Sequence, residues 1–200
     1  MAEPIDFYFD FASPYGYFAS LRIDDLAASH GRTVRWHPIL LGAIFKVTGM
    51  KPNLQQPLRG EYLTHDVGRI ARLTGAPFTF PDSAPVNGVA ASRAVYWLTD
   101  AHPEQAKLLA RRLYHAHFAE GRDIGPAETV AEIAATLGHD RAAVLAALQD
   151  PEVKDRLRAE TDGAVGKGVF GSPFFIVDEE PFWGWDRMEM LDRWLATGGW

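Results

Sequence analysis

No cysteine occurs among the 200 residues. That absence excludes disulfides, thiolate zinc sites, iron–sulfur clusters, a cysteine nucleophile and Cys-x-x-Cys redox chemistry. Any sulfur chemistry has to come from a ligand. Basic charge is also short: 20 Lys+Arg against 26 Asp+Glu leave a formal net charge of −6 at pH 7, whereas a phosphate-backbone partner needs a basic face. Nucleic acid is therefore not an expected partner. Long apolar runs are missing as well. The longest, Ile39 to Phe45, is far short of a membrane span, and Met1-Ala2-Glu3-Pro4 has neither the basic nor the apolar region of a leader. The expectation is a cytoplasmic protein with no membrane partner. With 47% hydrophobic and 23% charged residues, the chain can bury a sizeable core, as one compact domain or as a domain with a large insertion.

Ile5-Asp6-Phe7-Tyr8-Phe9-Asp10-Phe11 alternates apolar and mostly polar side chains, rich in aromatics, and predicts a strand ending near Asp10. Ser13-Pro14 is a helix-start signature, since a serine oxygen accepts from the first unpaired amides and proline suits the first helical position. The helix is expected over 14–29, stopped by Gly31. A second strand over 33–38 completes a β-α-β opening, the unit that builds a parallel pair. Helical periodicity then dominates: Tyr62, Leu63, Val67, Ile70 and Leu73 define one amphipathic helix, and further helices are expected at about 88–100, 103–120, 126–137, 140–149 and 150–165, the last opened by Asp150-Pro151 and the one before it by Asp140 after Gly138. Strand chemistry returns at Phe174-Phe175-Ile176-Val177, turns at Asp178-Glu179-Glu180 and resumes around Pro181 to Trp183, before a last helix through Met188, Leu191 and Leu195. The pattern predicts an α/β unit with one sheet assembled from both chain ends, residues 1–40 and 168–200, and a helical insertion over 41–167. Ser13 would then lie close to Pro173.

Several motifs carry no chemistry. Gly166-Lys167-Gly168-Val169-Phe170-Gly171 matches G-x-G-x-x-G, but a helix precedes it and a strand follows, the reverse of what a dinucleotide site requires. His115 and His117, two apart on a helix, diverge by about 200° and cannot share an ion. No Gly-x-Ser-x-Gly elbow is present. Asp24-Asp25 and Glu179-Glu180 read as solvated charge. Two features remain. Ser13 stands where open α/β sheets expose ligands, and it is equally explained as a helix cap. Ser172-Pro173 precedes an apolar strand, either as a loop proline or as a cis peptide presenting backbone atoms to a ligand.

Three segments in order, Asp6 to Tyr15 with its Ser13-Pro14-Tyr15, Phe170-Gly171-Ser172-Pro173, and Trp183-Gly184-Trp185-Asp186-Arg187, resemble the 2-hydroxychromene-2-carboxylate isomerases. These are relatives of kappa-class glutathione transferases within the thioredoxin-like, DsbA-type fold. The resemblance spans nearly the whole chain, including Leu41 to Lys46. It implies glutathione as cofactor, a small aromatic substrate and a homodimer. It also implies Ser13 facing the glutathione sulfur, Pro173 as a cis-proline, and Ser172 pairing its backbone with the cysteinyl part. Trp183, Gly184, Trp185 and Asp186 would hold the γ-glutamyl end, and Asn53 and Lys46 would face the substrate, Lys46 toward its carboxylate. Two positions depart from the family: Ser172 where valine is common, and Trp185 where asparagine or serine stands.

The implied reaction interconverts 2-hydroxychromene-2-carboxylate and trans-o-hydroxybenzylidenepyruvate, a step of naphthalene-type catabolism, by reversible addition of the glutathione thiolate. With no partner histidine evident, Ser13 suits a hydrogen-bond donor better than a nucleophile, and the helix start would help stabilise the anion. Phe11, Tyr15, Phe45 and Trp183 are candidates for the pocket wall, or ordinary core residues. A kappa-like transferase and a cysteine-free thioredoxin-like binding protein are the rival expectations.

Overall fold

A computed structural model describes residues 3–200. Four strands, β1 (Ile5–Phe9), β2 (Val34–Pro38), β3 (Phe174–Val177) and β4 (Glu180–Trp183), form one mixed sheet in the order β2-β1-β3-β4. β1 and β2 run parallel; β3 is antiparallel to both β1 and β4. The two ends of the chain do build a common sheet, with Phe7 paired to Trp36 on one side and to Phe175 on the other. The helices are α1 (Pro14–Ser20), α2 (Ile23–Ser29), α3 (Leu41–Thr48), α4 (Arg59–Thr74), α5 (Val89–Thr99), α6 (Pro103–Phe118), α7 (Ala127–Ala135), α8 (Arg141–Gln149), α9 (Pro151–Gly166) and α10 (Met188–Thr197). Two of the expected starts are capped by the anticipated residues. Asp140 accepts from Ala143 N at 2.7 Å and Asp150 from Glu152 N at 2.8 Å, each cap worth about 1 kcal/mol.

β1 is the spine of the molecule. Its alternation predicts one solvated face, yet all five residues are buried. Ile5, Phe7 and Phe9 enter the main core with Trp36, Phe175 and Tyr114, while Tyr8 enters a second cluster with Ile39, Ile44, Ala164 and Phe174. Helices therefore cover both faces, and the polar members of the strand survive burial only because they find partners. Phe7 stacks on Phe175 at 5.4 Å and meets Trp36 edge-on at 5.1 Å. Full burial of such a ring contributes about 2–3 kcal/mol.

Three local expectations need correction. The helix expected over 14–29 is two helices, α1 and α2, broken at Leu21-Arg22; the Ser20 hydroxyl donates to Tyr17 O at 2.6 Å, a local bond that competes with the helical ladder. Helix α3 lies largely within the apolar run Ile39 to Phe45, where no helix is expected, and Leu40 before it offers no side-chain cap to mark its start. Asp24 is not solvated charge: it accepts from Trp36 Nε1 at 3.2 Å, Lys107 at 3.2 Å and Arg111 at 2.6 Å, tying α2 to β2 and α6.

Candidate functional site

β1 ends at Phe9, and the chain turns through Asp10 to Ala12 before α1 begins. Ser13 caps α1 in extended conformation (φ −95°, ψ 112°), its Oγ accepting from Gly16 N at 3.1 Å. The same hydroxyl donates to Ser172 O at 2.9 Å. Ser13 is thus a cap and a tertiary contact at once, across 159 residues of sequence. The Ser172–Pro173 peptide is cis, so the sharper of the two readings of this proline describes its geometry. Ala84–Pro85 is also cis, at a position that carried no signal in the sequence.

Below this turn lies a buried polar cluster that sequence reasoning missed. Asp10 N donates to Ser172 Oγ at 2.9 Å, Asp10 O accepts from Tyr114 Oη at 2.8 Å and from Ser13 N at 2.9 Å, and the Asp10 carboxylate accepts from Ala12 N at 2.8 Å and Leu41 N at 2.6 Å. The Ser172 side chain, unusual for the family it resembles, is therefore used: it receives the Asp10 amide beside the Tyr114 phenol. Gly16 is required by this crowding, because a Cβ there would come 2.5 Å from Tyr114 Oη and 3.0 Å from Ser172 Oγ. An acidic residue closing an aromatic strand was a visible hint for Asp10. Tyr114 gave none, since it is one of many core-facing residues of α6.

The electrostatics follow from burial without counter-charge. Burial pushes the Asp10 carboxyl up to about 6, only partly offset by the amides of Ala12 and Leu41. Burial likewise holds the Tyr114 phenol well above its ordinary value and therefore neutral. Ser13 has no base beside it, as its hydroxyl is engaged with a backbone carbonyl. It remains a neutral alcohol able to donate one hydrogen bond. The helix start is less free than expected. Pro14 has no N–H, and Ser13 already holds Gly16 N and Tyr17 N, which leaves the Tyr15 amide as the first-turn donor.

The remaining sequence candidates fall into three groups. Gly184 N donates to Pro173 O at 3.0 Å, so the segment Trp183 to Asp186 is joined directly to the cis-proline. Trp183 is half exposed and packs on Phe170 at 4.8 Å over Gly171. Trp185 turns inward toward Phe18, with its Nε1 buried and unpartnered, and Asp186 is exposed and paired with Arg187 at 2.7 Å. Tyr15 is half-buried and donates to Asp66 of α4 at 2.8 Å, and Asp66 also pairs with Arg69, which lies over the Tyr62 ring. Burial and Asp66 together raise the Tyr15 phenol. Phe45 and Lys46 lie on α3, Lys46 exposed, and Asn53 sits in an exposed 3-10 turn, Asn53–Gln55, with its Oδ1 accepting from Gln56 at 3.4 Å. Phe11 is withdrawn from the pocket wall: it is fully buried, 4.9 Å from Tyr114 in the main core.

The model of the DSBA-like thioredoxin domain family matches residues 4–196. A 2-hydroxychromene-2-carboxylate isomerase of Pseudomonas putida is 31% identical over 94% of this chain and 92% of its own. The human glutathione S-transferase kappa 1 is 25% identical over 98% and 94%. Among solved structures, a 2-hydroxychromene-2-carboxylate isomerase superposes with a TM-score of 0.87 at 31% identity, covering 97% of this chain and 94% of that one. No described helix is long and apolar enough to cross a membrane.

Proposed function

The chain belongs to the DSBA-like thioredoxin domain family, alongside the 2-hydroxychromene-2-carboxylate isomerases, and from that premise we propose that it is a glutathione-dependent isomerase. Its substrate in this reading is 2-hydroxychromene-2-carboxylate, converted reversibly to trans-o-hydroxybenzylidenepyruvate. The observation that carries the reading is the Ser13 hydroxyl at the start of α1, directed at the Ser172 carbonyl next to the cis-proline. The residues fit a glutathione peptide: an alcohol donor whose bond to Ser172 O can be exchanged, a backbone segment at Ser172, and Asp186 with the Gly184 backbone one hydrogen bond from Pro173. Bound glutathione supplies a thiolate that adds to the unsaturated chain and departs again, so none is consumed.

The chain's own contribution is to hold that chemistry in place. Ser13 exchanges its bond to Ser172 O for one to the sulfur, donating its proton without losing it; a hydrogen bond to a charged group is worth about 2 kcal/mol. The Ser172 carbonyl, released by Ser13, then accepts from the peptide. Asp186 pairs with the α-amino group, and its exposed partner Arg187 gives way at little cost because surface ion pairs are weak. Phe45, Tyr15 and Trp183 cover the aromatic ring, Asn53 hydrogen-bonds the substrate, and Lys46 neutralises its carboxylate. The exposed apolar side chains Val47, Met50, Leu58 and Tyr62 around α3 and α4 suit a homodimer contact, which light scattering checks.

The test is an absorbance assay of the chromene carboxylate with substoichiometric glutathione. The expected result is many turnovers per glutathione with the free thiol unchanged, and a loss of about 30-fold in kcat/KM for Ser13→Ala, the rate equivalent of one charge-assisted bond. Thiol depletion in step with an added electrophile selects the kappa-like transferase instead, a reading favoured by the kappa-class relative. Binding of glutathione without any turnover selects a binding protein. No spectral change in any arm overturns the isomerase reading.

A further inference from the structure

Helix α3 begins without a cap of its own: Leu40, which precedes it, has no side-chain acceptor. The missing cap comes from elsewhere in the chain. Asp10 Oδ2 accepts from Leu41 N, the first helical amide, at 2.6 Å, while Oδ1 accepts from Ala12 N at 2.8 Å. A carboxylate at a helix start satisfies an orphan amide and opposes the helix dipole. The same residue grips Ser13, Tyr114 and Ser172 through its backbone. A single side chain and its peptide groups thus connect the Ser13 turn, the cis-proline loop and the helix that carries Phe45 and Lys46.

We infer that Asp10 is a positioning residue, which sets α3 relative to the Ser13 turn and so acts on the aromatic substrate through α3 without touching the reacting atoms. This rests on the isomerase reading for the role of α3, whereas the link from Asp10 to α3 can be measured without turnover. The link depends on the ionised carboxylate, which alone offers two acceptor oxygens to two amides. The groups packed on Asp10 are Ser13 of the turn, Leu41 of α3, Gly88 before α5, Tyr114 of α6 and Ser172 of the loop. None is a charged side chain, so the two amides are its compensation, and burial raises the group to about 6.

Two variants break the link from opposite sides. Asp10→Asn keeps one acceptor but turns an NH2 donor toward the second amide. Leu41→Pro deletes the N–H together with a side chain partly buried against the second cluster, so Leu41→Ala, which trims the side chain and keeps the N–H, is its control; proline is tolerated at the first helical position, and Leu40 at φ −110°, ψ 98° already has the extended backbone a pre-proline residue adopts. In the full chain, amide resonances of Ala12 and Leu41 are followed by NMR against pH. Both are expected to titrate together near pH 6, and the Ala12 transition is expected to vanish in Asp10→Asn and to move upward in Leu41→Pro, where one bond favouring the anion is lost. In both variants KM for the aromatic substrate rises about fivefold or more, with glutathione affinity by calorimetry held within about twofold, as expected when one positioning contact is removed.

Amides that do not titrate together overturn the inference. So does a parallel loss of glutathione affinity and substrate affinity, which marks a merely structural residue. If wild-type protein turns over no chromene carboxylate, the functional reading fails alone, and the paired titration still decides the link. If Asp10→Asn does not fold, the wild-type titration and Leu41→Pro decide it.

Discussion

Asp6 and Asp10 lie four residues apart, one in β1 and one just past its end, and both side chains leave on the same face of the sheet. Their surroundings are opposite. Asp6 receives Arg35 Nε at 2.7 Å and His37 Nε2 at 3.0 Å, with Lys167 Nζ at 3.7 Å, and His37 in turn faces Glu160 at 3.5 Å. Burial would push Asp6 up, but His37 and Arg35 outweigh it and hold the carboxyl down at about 2. Asp10 has backbone amides in place of cations and is raised to about 6. The chain therefore concentrates its counter-charges at the end of β1 remote from Ser13. The end that carries the candidate chemistry is held around Asp10 by neutral dipoles, the amides of Ala12 and Leu41 and the hydroxyls of Tyr114 and Ser172.

The sharpest break in this comparison is Asp10→Asn followed by urea denaturation at pH 4 and pH 7. Because the folded value of about 6 lies above the ordinary 3.8, Asp10 contributes stability below pH 3.8 that is lost as pH rises through 6. The shift corresponds to about 3 kcal/mol. The variant should gain about that much on wild type between the two pH values. A gap that stays constant would mean that the Asp10 carboxylate is solvated.

Asp6→Ala should show the reverse dependence. Removing one member of a fully buried ion pair costs about 3–5 kcal/mol, but Arg35 and Lys167 are half exposed, and solvent screening lowers the expected loss at pH 7 to about 2 kcal/mol. The folded value of about 2 lies below 3.8, so this contribution is present above pH 3.8 and disappears as pH falls toward 2. Wild type and variant should converge there. Equal stability at pH 7 would reduce the cluster to a surface decoration.

How much of this was legible depended on range. The Ser13 cap, the Asp140 and Asp150 caps and the strand Phe174–Val177 are local events written in a few neighbouring residues, and they were readable. The resemblance identified Ser13 and Pro173, and the structure brings the Ser13 turn against the cis-proline loop through the Ser172 carbonyl. Asp10 stands in plain view at the end of the aromatic strand, but its partners Leu41, Tyr114 and Ser172 lie 31, 104 and 162 residues away. No periodicity reports such a partner. Asp24 is hidden for the same reason: a charged residue on a helix looks solvated, and its partners Lys107 and Arg111 come from α6, 83 and 87 residues away. Helix α3 has no local start signal, because its first amide is capped by Asp10, 31 residues earlier in the chain.

The smallest expected effect tests the charged end alone. Burial lowers the affinity of His37 for its proton, but hydrogen bonds and charge from Asp6 and Glu160 outweigh it, so the imidazole is raised above its ordinary 6.5. Its contribution to stability is therefore present below pH 6.5 and lost as pH rises through the elevated value. His37→Gln can still donate to one carboxylate but carries no charge. Wild type should lose about 1 kcal/mol relative to this variant between pH 6 and pH 9, a modest figure because Arg35, Lys167 and Arg156 remain to hold Asp6 and Glu160. The measurement is denaturant unfolding at both pH values, with the His37 ring followed by NMR. A His37 that titrates below 6.5 would mean that burial overrides two carboxylates, and both ends of β1 would then be governed by desolvation instead of by opposite rules.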